Sequence, residues 1–172
     1  MQVRPTSDRL RETLFNIIAP RIEEARYLDL CAGSGAVGIE ALSRGAAHAT
    51  FVDRSRKMCG LVEANLDLCQ IPEEQTEVVQ AEALDFLKRS IARKTEPWNI
   101  GFYDPPYETD YLNILNLIGE HITDLLQPNG LLIVEHHHKN NLKESFGGII
   151  RTRILKQGDS VLSFYERLES ED

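Results

Sequence analysis

The spacing of apolar residues switches repeatedly between helical and strand periods along the chain. Leu10, Leu14, Ile17 and Ile18 make one helical stripe within a segment running from about Ser7 to Ala19. Thr6 or Ser7 can cap that helix, and Pro20 is expected to stop it. Asp8, Arg11 and Phe15 fall off the stripe, which points an arginine and an aromatic ring away from the helix's own packing face. Tyr27 to Cys31 reads as a short strand, followed by a glycine-rich turn and a helix of small residues ending at Gly45. Ala49 to Val52 is a second strand closed by Asp53, and Ser55 can cap a helix with Met58, Leu61, Val62 and Leu66 inward. Glu77 to Gln80 is a third strand, and Leu84, Leu87 and Ile91 mark the next helix. Ile100 to Tyr103 is a fourth strand, after which Leu112, Leu115, Ile118, Ile122 and Leu125 describe one long helix. Pro128-Asn129-Gly130 turns that helix into a buried strand from Leu131 to Val134.

This alternation predicts an α/β fold with a parallel sheet covered by helices on both faces. The end of the chain departs from it. Ile149 to Lys156 and Val161 to Arg167 both read as strands, with only Gln157-Gly158-Asp159-Ser160 between them. Four residues are too few for a parallel crossover, so these two strands should form an antiparallel hairpin. Seven strands ending in such a hairpin describe the Rossmann-like sheet of class I methyltransferases rather than a symmetric dinucleotide fold.

A length of 172 residues suits one domain with a sizeable core, and the first 20 residues then form a helical segment covering the site. No apolar run approaches the ~20 residues that span a bilayer, and Met1 to Leu10 lacks the apolar core of a secretory signal. Cys31, Cys59 and Cys69 fit no paired metal spacing, which suggests reduced thiols and a cytoplasmic location. The net charge of −8 argues against non-specific coating of nucleic acid, while leaving room for a local basic face. Three basic groups could supply one: Arg4, Arg9, Arg11 and Arg21; Lys88, Arg89, Arg93 and Lys94; and Arg151, Arg153 and Lys156. Each also reads as ordinary solvated charge.

Between the first strand and its helix lies Asp29-Leu30-Cys31-Ala32-Gly33-Ser34-Gly35-Ala36-Val37-Gly38. Gly33, Gly35 and Gly38 satisfy the dinucleotide pattern GxGxxG, with Asp53 as the acid that could hold a ribose. Asp29, inside the leading strand, tips the balance elsewhere. A carboxylate there suits a cationic amino-acid ligand better than a pyrophosphate. S-adenosylmethionine offers an ammonium, a ribose diol and an adenine, and no phosphate. Asp53 can accept both ribose hydroxyls, and Glu82 can accept from the adenine amino group. The expected cofactor set is Asp29, Ala32, Gly33, Ser34, Gly35, Asp53, Arg54, Glu82, Ala83 and Asp104.

Asp104-Pro105-Pro106-Tyr107 follows the fourth strand directly. Two prolines cannot continue a ladder and push the chain out at the sheet's carboxyl edge, where open α/β sheets bind ligands. An exocyclic amine on an aromatic base is a poor nucleophile, because its lone pair is delocalised into the ring. The Asp104 carboxylate and the Pro105 carbonyl can accept its two N–H hydrogens, aim the nitrogen and stabilise the charge that develops. Tyr107 offers a flat face for the base, worth ~1–3 kcal/mol by analogy with single-strand binders. Asp104, Pro105, Pro106 and Tyr107 are thus the expected catalytic group, and no metal is required.

Arg4-Pro5-Thr6 through Asp8, Arg11-Glu12, Leu14-Phe15-Asn16, Ala32-Gly33-Ser34-Gly35 and Asp104-Pro105-Pro106-Tyr107 together resemble the RsmD family. Those are bacterial methyltransferases acting on guanine N2 of small-subunit ribosomal RNA, and the resemblance covers nearly the whole chain. It implies that Arg11 and Phe15 cover the mouth of the site, and that Arg4, Thr6, Arg11, Phe15 and Tyr107 contact the substrate. Family members usually carry a basic, glycine-rich β-hairpin before the Arg-Pro-Thr segment, whereas this sequence starts almost at that segment. With the acidic net charge, this points to a small-subunit assembly intermediate as substrate rather than naked RNA.

His136-His137-His138 suggests a metal, but alternate strand residues face opposite ways, so at most two can converge. A polar strand exit is the preferred reading, and Asn65 is given no role beyond packing or a hydrogen bond. An adenine-N6 or protein glutamine methyltransferase would keep the cofactor site and change the acceptor. The glutamine enzymes usually have Asn at the position of Asp104, and the adenine enzymes usually carry an added recognition domain. A NAD-dependent oxidoreductase, or a non-catalytic nucleotide-binding module, would leave Asp104 to Tyr107 without a task.

Overall fold

The computed structural model describes residues 6–106 and 111–169. The chain divides into two compact units, with the boundary between Glu82 and Ala83.

In the first unit, α1 (Asp8–Ile22) precedes β1 (Arg26–Leu30), α2 (Ala36–Ser43), β2 (His48–Asp53), α3 (Arg56–Leu68) and β3 (Thr76–Gln80). The strands are parallel in the order β3-β2-β1, with Tyr27 opposite Ala49 and Phe51 opposite Val78. Ser7 caps α1 by accepting from Leu10 N, and Ser55 caps α3 by accepting from Met58 N. Pro20 does not stop α1, which continues to Ile22 with the proline inside it. The missing proline N–H costs one late hydrogen bond, and burial of Ile22 keeps the last turn seated. The inward stripe of α3 is Cys59, Val62 and Leu66, while Leu61, expected inside, is 40% exposed.

The second unit contains α4 (Ala83–Arg93), β4 (Trp98–Tyr103), α5 (Tyr111–Glu120), α6 (Ile122–Leu125), β5 (Leu126–His137), β6 (Ser145–Phe146), β7 (Ile149–Gln157) and β8 (Ser160–Arg167). Its strand order is β4-β5-β8-β7-β6. β4 and β5 are parallel, and β8 runs antiparallel to both β5 and β7, so the terminal hairpin forms as expected. The two-residue edge strand β6 raises the strand count among the described residues to eight from the expected seven.

Two expected boundaries shift. The long helix breaks after Glu120 into α5 and α6, because the Gly119 carbonyl is diverted to accept from Gly148 N at 2.9 Å. Gly119 also packs on the Phe146–Gly147 backbone, where an added Cβ would collide with the Phe146 carbonyl. Leu112, expected inside, is 45% exposed, and the buried stripe of α5 is Tyr111, Ile114, Leu115 and Ile118. β5 begins at Leu126 and takes up Pro128-Asn129-Gly130, where its register with β4 shifts between Trp98 and Ile100. No helix among the described residues is long and apolar enough to cross a membrane.

Candidate active site

In the first unit the chain leaves β1 through a loop of left-handed residues. Cys31, Gly33 and Gly35 have φ of 65°, 57° and 83°. Gly35 is the N-cap of α2, and its missing side chain matters, because a Cβ would sit 3.2 Å from both Val62 methyls. At Gly33 an added Cβ would meet nothing within 4 Å, so that backbone borders open space. Ala32 N donates to Val52 O at 2.9 Å, and Asn65 Nδ2 of α3 donates to Ser34 O at 2.9 Å. The loop is therefore held in shape by the protein itself. Asn65, given no role from sequence, ties the loop down; the available signal was its place three residues after Val62, on the border of the buried stripe.

Asp53 ends β2 with both carboxylate oxygens engaged: Oδ2 accepts from Gly33 N and Oδ1 from Ser55 N, each at 2.9 Å. Each oxygen keeps a second lone pair, enough for one hydroxyl apiece of a vicinal diol. Asp29 is 2% exposed, and its Oδ2 accepts from Gly38 N at 3.3 Å in the first turn of α2. Burial pushes its carboxyl up to about 7, partly offset by the Gly38 bond and reinforced by the Asp53 charge. A buried carboxylate short of positive charge fits a cationic ligand. Arg54 and Glu82 are exposed, and Ala32 and Ser34 are half-buried.

In the second unit β4 ends at Tyr103, opposite Val134 of β5, and Asp104-Pro105-Pro106 leaves at the strand's carboxyl end. Asp104 and Pro106 are half-buried and Pro105 is buried. Ala83 opens α4. Tyr107 and Arg4 lie outside the described residues.

The expectation for α1 is corrected at one position. Phe15 does not point away from the packing; it is fully buried, stacked on Tyr27 with centroids 6.5 Å apart, and the Arg44 guanidinium lies over its ring at 5.3 Å. The large apolar ring gains more from the core than the helix-face argument allowed. Arg11 remains half-buried and pairs with Asp8 at 3.0 Å, and Thr6 is half-buried.

The three histidines separate. His136 is buried, whereas His137 and His138 lie with rings 4.2 Å apart at the strand exit, near Asp159. His137 Nδ1 accepts from Lys139 N at 3.1 Å, so its neutral ring carries the proton on Nε2. His138 Nδ1 is 3.6 Å from Asp159 Oδ1. Binding a metal there requires breaking the Lys139 bond or deprotonating the ring.

The hairpin-terminated α/β architecture and the glycine loop with its acidic strand-end partner define a class I methyltransferase fold. A family model described as conserved hypothetical protein 95 matches residues 1–166. The chain belongs to that family, the RsmD family. It is 35% identical to ribosomal RNA small subunit methyltransferase D of Haemophilus influenzae, over 90% of this chain and 83% of the relative. The solved structure of the Escherichia coli protein yhhF matches with a TM-score of 0.82 and 38% identity, covering 96% of this chain and 88% of that one. SMU.776, solved in complex with SAH, has the same fold with a TM-score of 0.74 at 16% identity, over 91% of this chain and 49% of that one.

Proposed function

We propose that the chain transfers a methyl group from S-adenosylmethionine to an exocyclic amine of ribosomal RNA, guanine N2 of the small subunit. The observation that carries the reading is Asp104-Pro105-Pro106 at the carboxyl end of β4 in a chain of this family. The bound cofactor supplies a methyl already activated on a sulfonium, so no metal is assigned a step.

In this reading the first unit holds the donor. Asp29 compensates the amino-acid ammonium, Asp53 accepts from the ribose diol through its two remaining lone pairs, and Glu82 accepts from adenine. Gly33 leaves room for close approach, Ala32, Ser34, Gly35 and Arg54 complete that unit's set, and Ala83 and Asp104 of the second unit are the remaining cofactor contacts. In the second unit the Asp104 carboxylate and the Pro105 carbonyl accept the two N–H hydrogens of the acceptor. That draws the nitrogen lone pair out of conjugation and stabilises the charge that forms on it. Pro106 fixes the turn, and Tyr107 stacks on the base. Arg4, Thr6 and Arg11 contact RNA. Phe15, being in the core, supports α1 instead of touching substrate. In this reading the substrate is an assembly intermediate rather than naked RNA, in keeping with the acidic net charge, and the reaction belongs to the cytoplasm.

The test is methylation of 16S RNA and of small-subunit precursor particles, with nucleoside mass spectrometry of the product. The expected product is N2-methylguanosine, with Asp104→Asn slowed about 100-fold or more and its affinity for S-adenosylhomocysteine within a few-fold of wild type. N6-methyladenosine would move the acceptor assignment, and undiminished activity of Asp104→Asn would overturn the chemistry.

A further inference from the structure

His136 is 6% exposed and lies two residues beyond Val134, the β5 residue paired with Tyr103. The ladder between β4 and β5 ends at that pair, so His136 lies just past it on β5, as Asp104 does on β4. Its hydrogen bonds fix its tautomer. Nδ1 is 3.1 Å from the His137 carbonyl, which can only accept, so Nδ1 carries the proton. Nε2 is then an acceptor, and the fully buried Ser163 hydroxyl of β8 donates to it at 2.8 Å. Both ring nitrogens are satisfied with the ring neutral, and burial favours that same form.

The held ring packs on an aromatic chain that leads to Asp104. Tyr111, the first residue of α5, sets its ring edge-on to His136 at 6.3 Å and 73°. It meets Tyr103 in the same manner at 6.0 Å and 72°. Tyr103 immediately precedes Asp104. All three rings are buried, and edge-to-face contacts are directional, so a rotation of one ring disturbs the next. A hydrophobic side chain in place of His136 could fill the space, but it would not fix ring orientation through two hydrogen bonds.

We propose that His136, oriented by Ser163, is a positioning residue for methyl transfer: through Tyr111 and Tyr103 it sets the placement of the Asp104 carboxylate. The inference rests on the proposed function. It concerns the turnover step, in which the Asp104 carboxylate orients the acceptor nitrogen.

The experiment compares wild type, His136→Leu and the double variant His136→Leu/Ser163→Ala. The measurements are kcat and KM on the RNA substrate, affinity for S-adenosylhomocysteine, Tm, and amide hydrogen exchange of peptides covering Tyr103 to Pro106 and the first turn of α5. His136→Leu leaves the Ser163 hydroxyl buried without its partner and should lower Tm. The double variant removes both polar partners and should recover most of that loss. The positioning role predicts that kcat stays about 10- to 100-fold low in both variants. Affinity for S-adenosylhomocysteine should stay within about twofold, and exchange should rise at the Tyr103 and Asp104 amides. Recovery of kcat together with Tm in the double variant would reduce His136 to a structural role and overturn the proposal, as would wild-type exchange at those two amides. If wild type itself methylates no RNA, the proposed function fails, and the exchange measurement still decides whether His136 sets the segment.

Discussion

Replacing Asp29 by Asn should stabilise the ligand-free protein at alkaline pH and weaken cofactor binding. The carboxyl of Asp29 titrates at about 7 in the folded chain, against an ordinary value of 3.8, so the folded state holds that proton more tightly than the unfolded state. Stability from this group is therefore complete below pH ~4, declines as pH rises toward 7, and is lost above it. A shift of roughly three units corresponds to about 4 kcal/mol between the two plateaus. Asn does not titrate. Its carbonyl can still accept from Gly38 N, but its amide hydrogens are buried without an evident acceptor, a cost of about 1–3 kcal/mol. The variant should thus be about 2 kcal/mol more stable than wild type at pH 8 and about 2 kcal/mol less stable at pH 4. At pH 8 that is a rise in Tm of roughly 4–8 °C for a chain of this size. Binding should move the other way, with affinity for S-adenosylhomocysteine falling roughly 10- to 100-fold as a charge-assisted contact is lost. Thermal unfolding of both proteins from pH 4 to pH 8, followed by calorimetric titration, measures all of this. Stability curves that run parallel across that range would refute a buried, charge-strained Asp29, whatever their offset.

Two further substitutions separate the glycines of the loop. Gly38→Ala places a Cβ against the Phe51 ring and should cost about 1–3 kcal/mol in denaturant unfolding, with calorimetric affinity for S-adenosylhomocysteine changed only a few-fold. Gly33→Ala enters open space at φ 57°, so its folding cost should be only about 1–2 kcal/mol, while S-adenosylhomocysteine affinity should fall more than in Gly38→Ala. Asn65→Ala removes the bond to Ser34 O and should weaken S-adenosylhomocysteine about 5- to 10-fold, for a stability loss near 1 kcal/mol.

The elements that can be read from sequence are those whose signal is local. Ser7 and Ser55 cap their helices as their side-chain chemistry dictates, and the short Gly158-Asp159 connection forces β7 and β8 to be antiparallel. Asp29 inside β1, Asp53 at the end of β2 and the glycines after β1 are placed by a few consecutive residues each. The misreadings have non-local causes. The break after Glu120 depends on a hydrogen bond from Gly148, 29 residues after Gly119, and no period within α5 announces it. Phe15 falls off the helix's own stripe on a helical wheel, but Tyr27 of β1 and Arg44, just after α2, pack against it from outside α1. His136 looked like one of three similar histidines until Ser163, on a strand 27 positions later, distinguished it.

Asp53 shows why the loop can be both stable and receptive. A carboxylate used only for a ligand would stand unpaired in the free protein, and its remaining contacts would have to be ordered on binding. Here the Gly33 and Ser55 amides hold it through one lone pair per oxygen, so its orientation exists before a diol arrives. The same bond is made by Gly33, whose φ of 57° goes with open space where a Cβ would stand, so in the proposed function the diol site and the backbone clearance adjoin. Asp29 follows a different logic. It is oriented by Gly38 N and has no cation among the causes of its shift from the described residues, so its charged form is strained in a way that a cationic ligand would relieve. In the proposed function, one acid is thus held by two amides and keeps capacity for a neutral ligand group, while the other is charge-strained and suits a positive one. That asymmetry fits a ligand carrying a sugar diol and an ammonium, and it disfavours a pyrophosphate, whose charge Asp29 would repel.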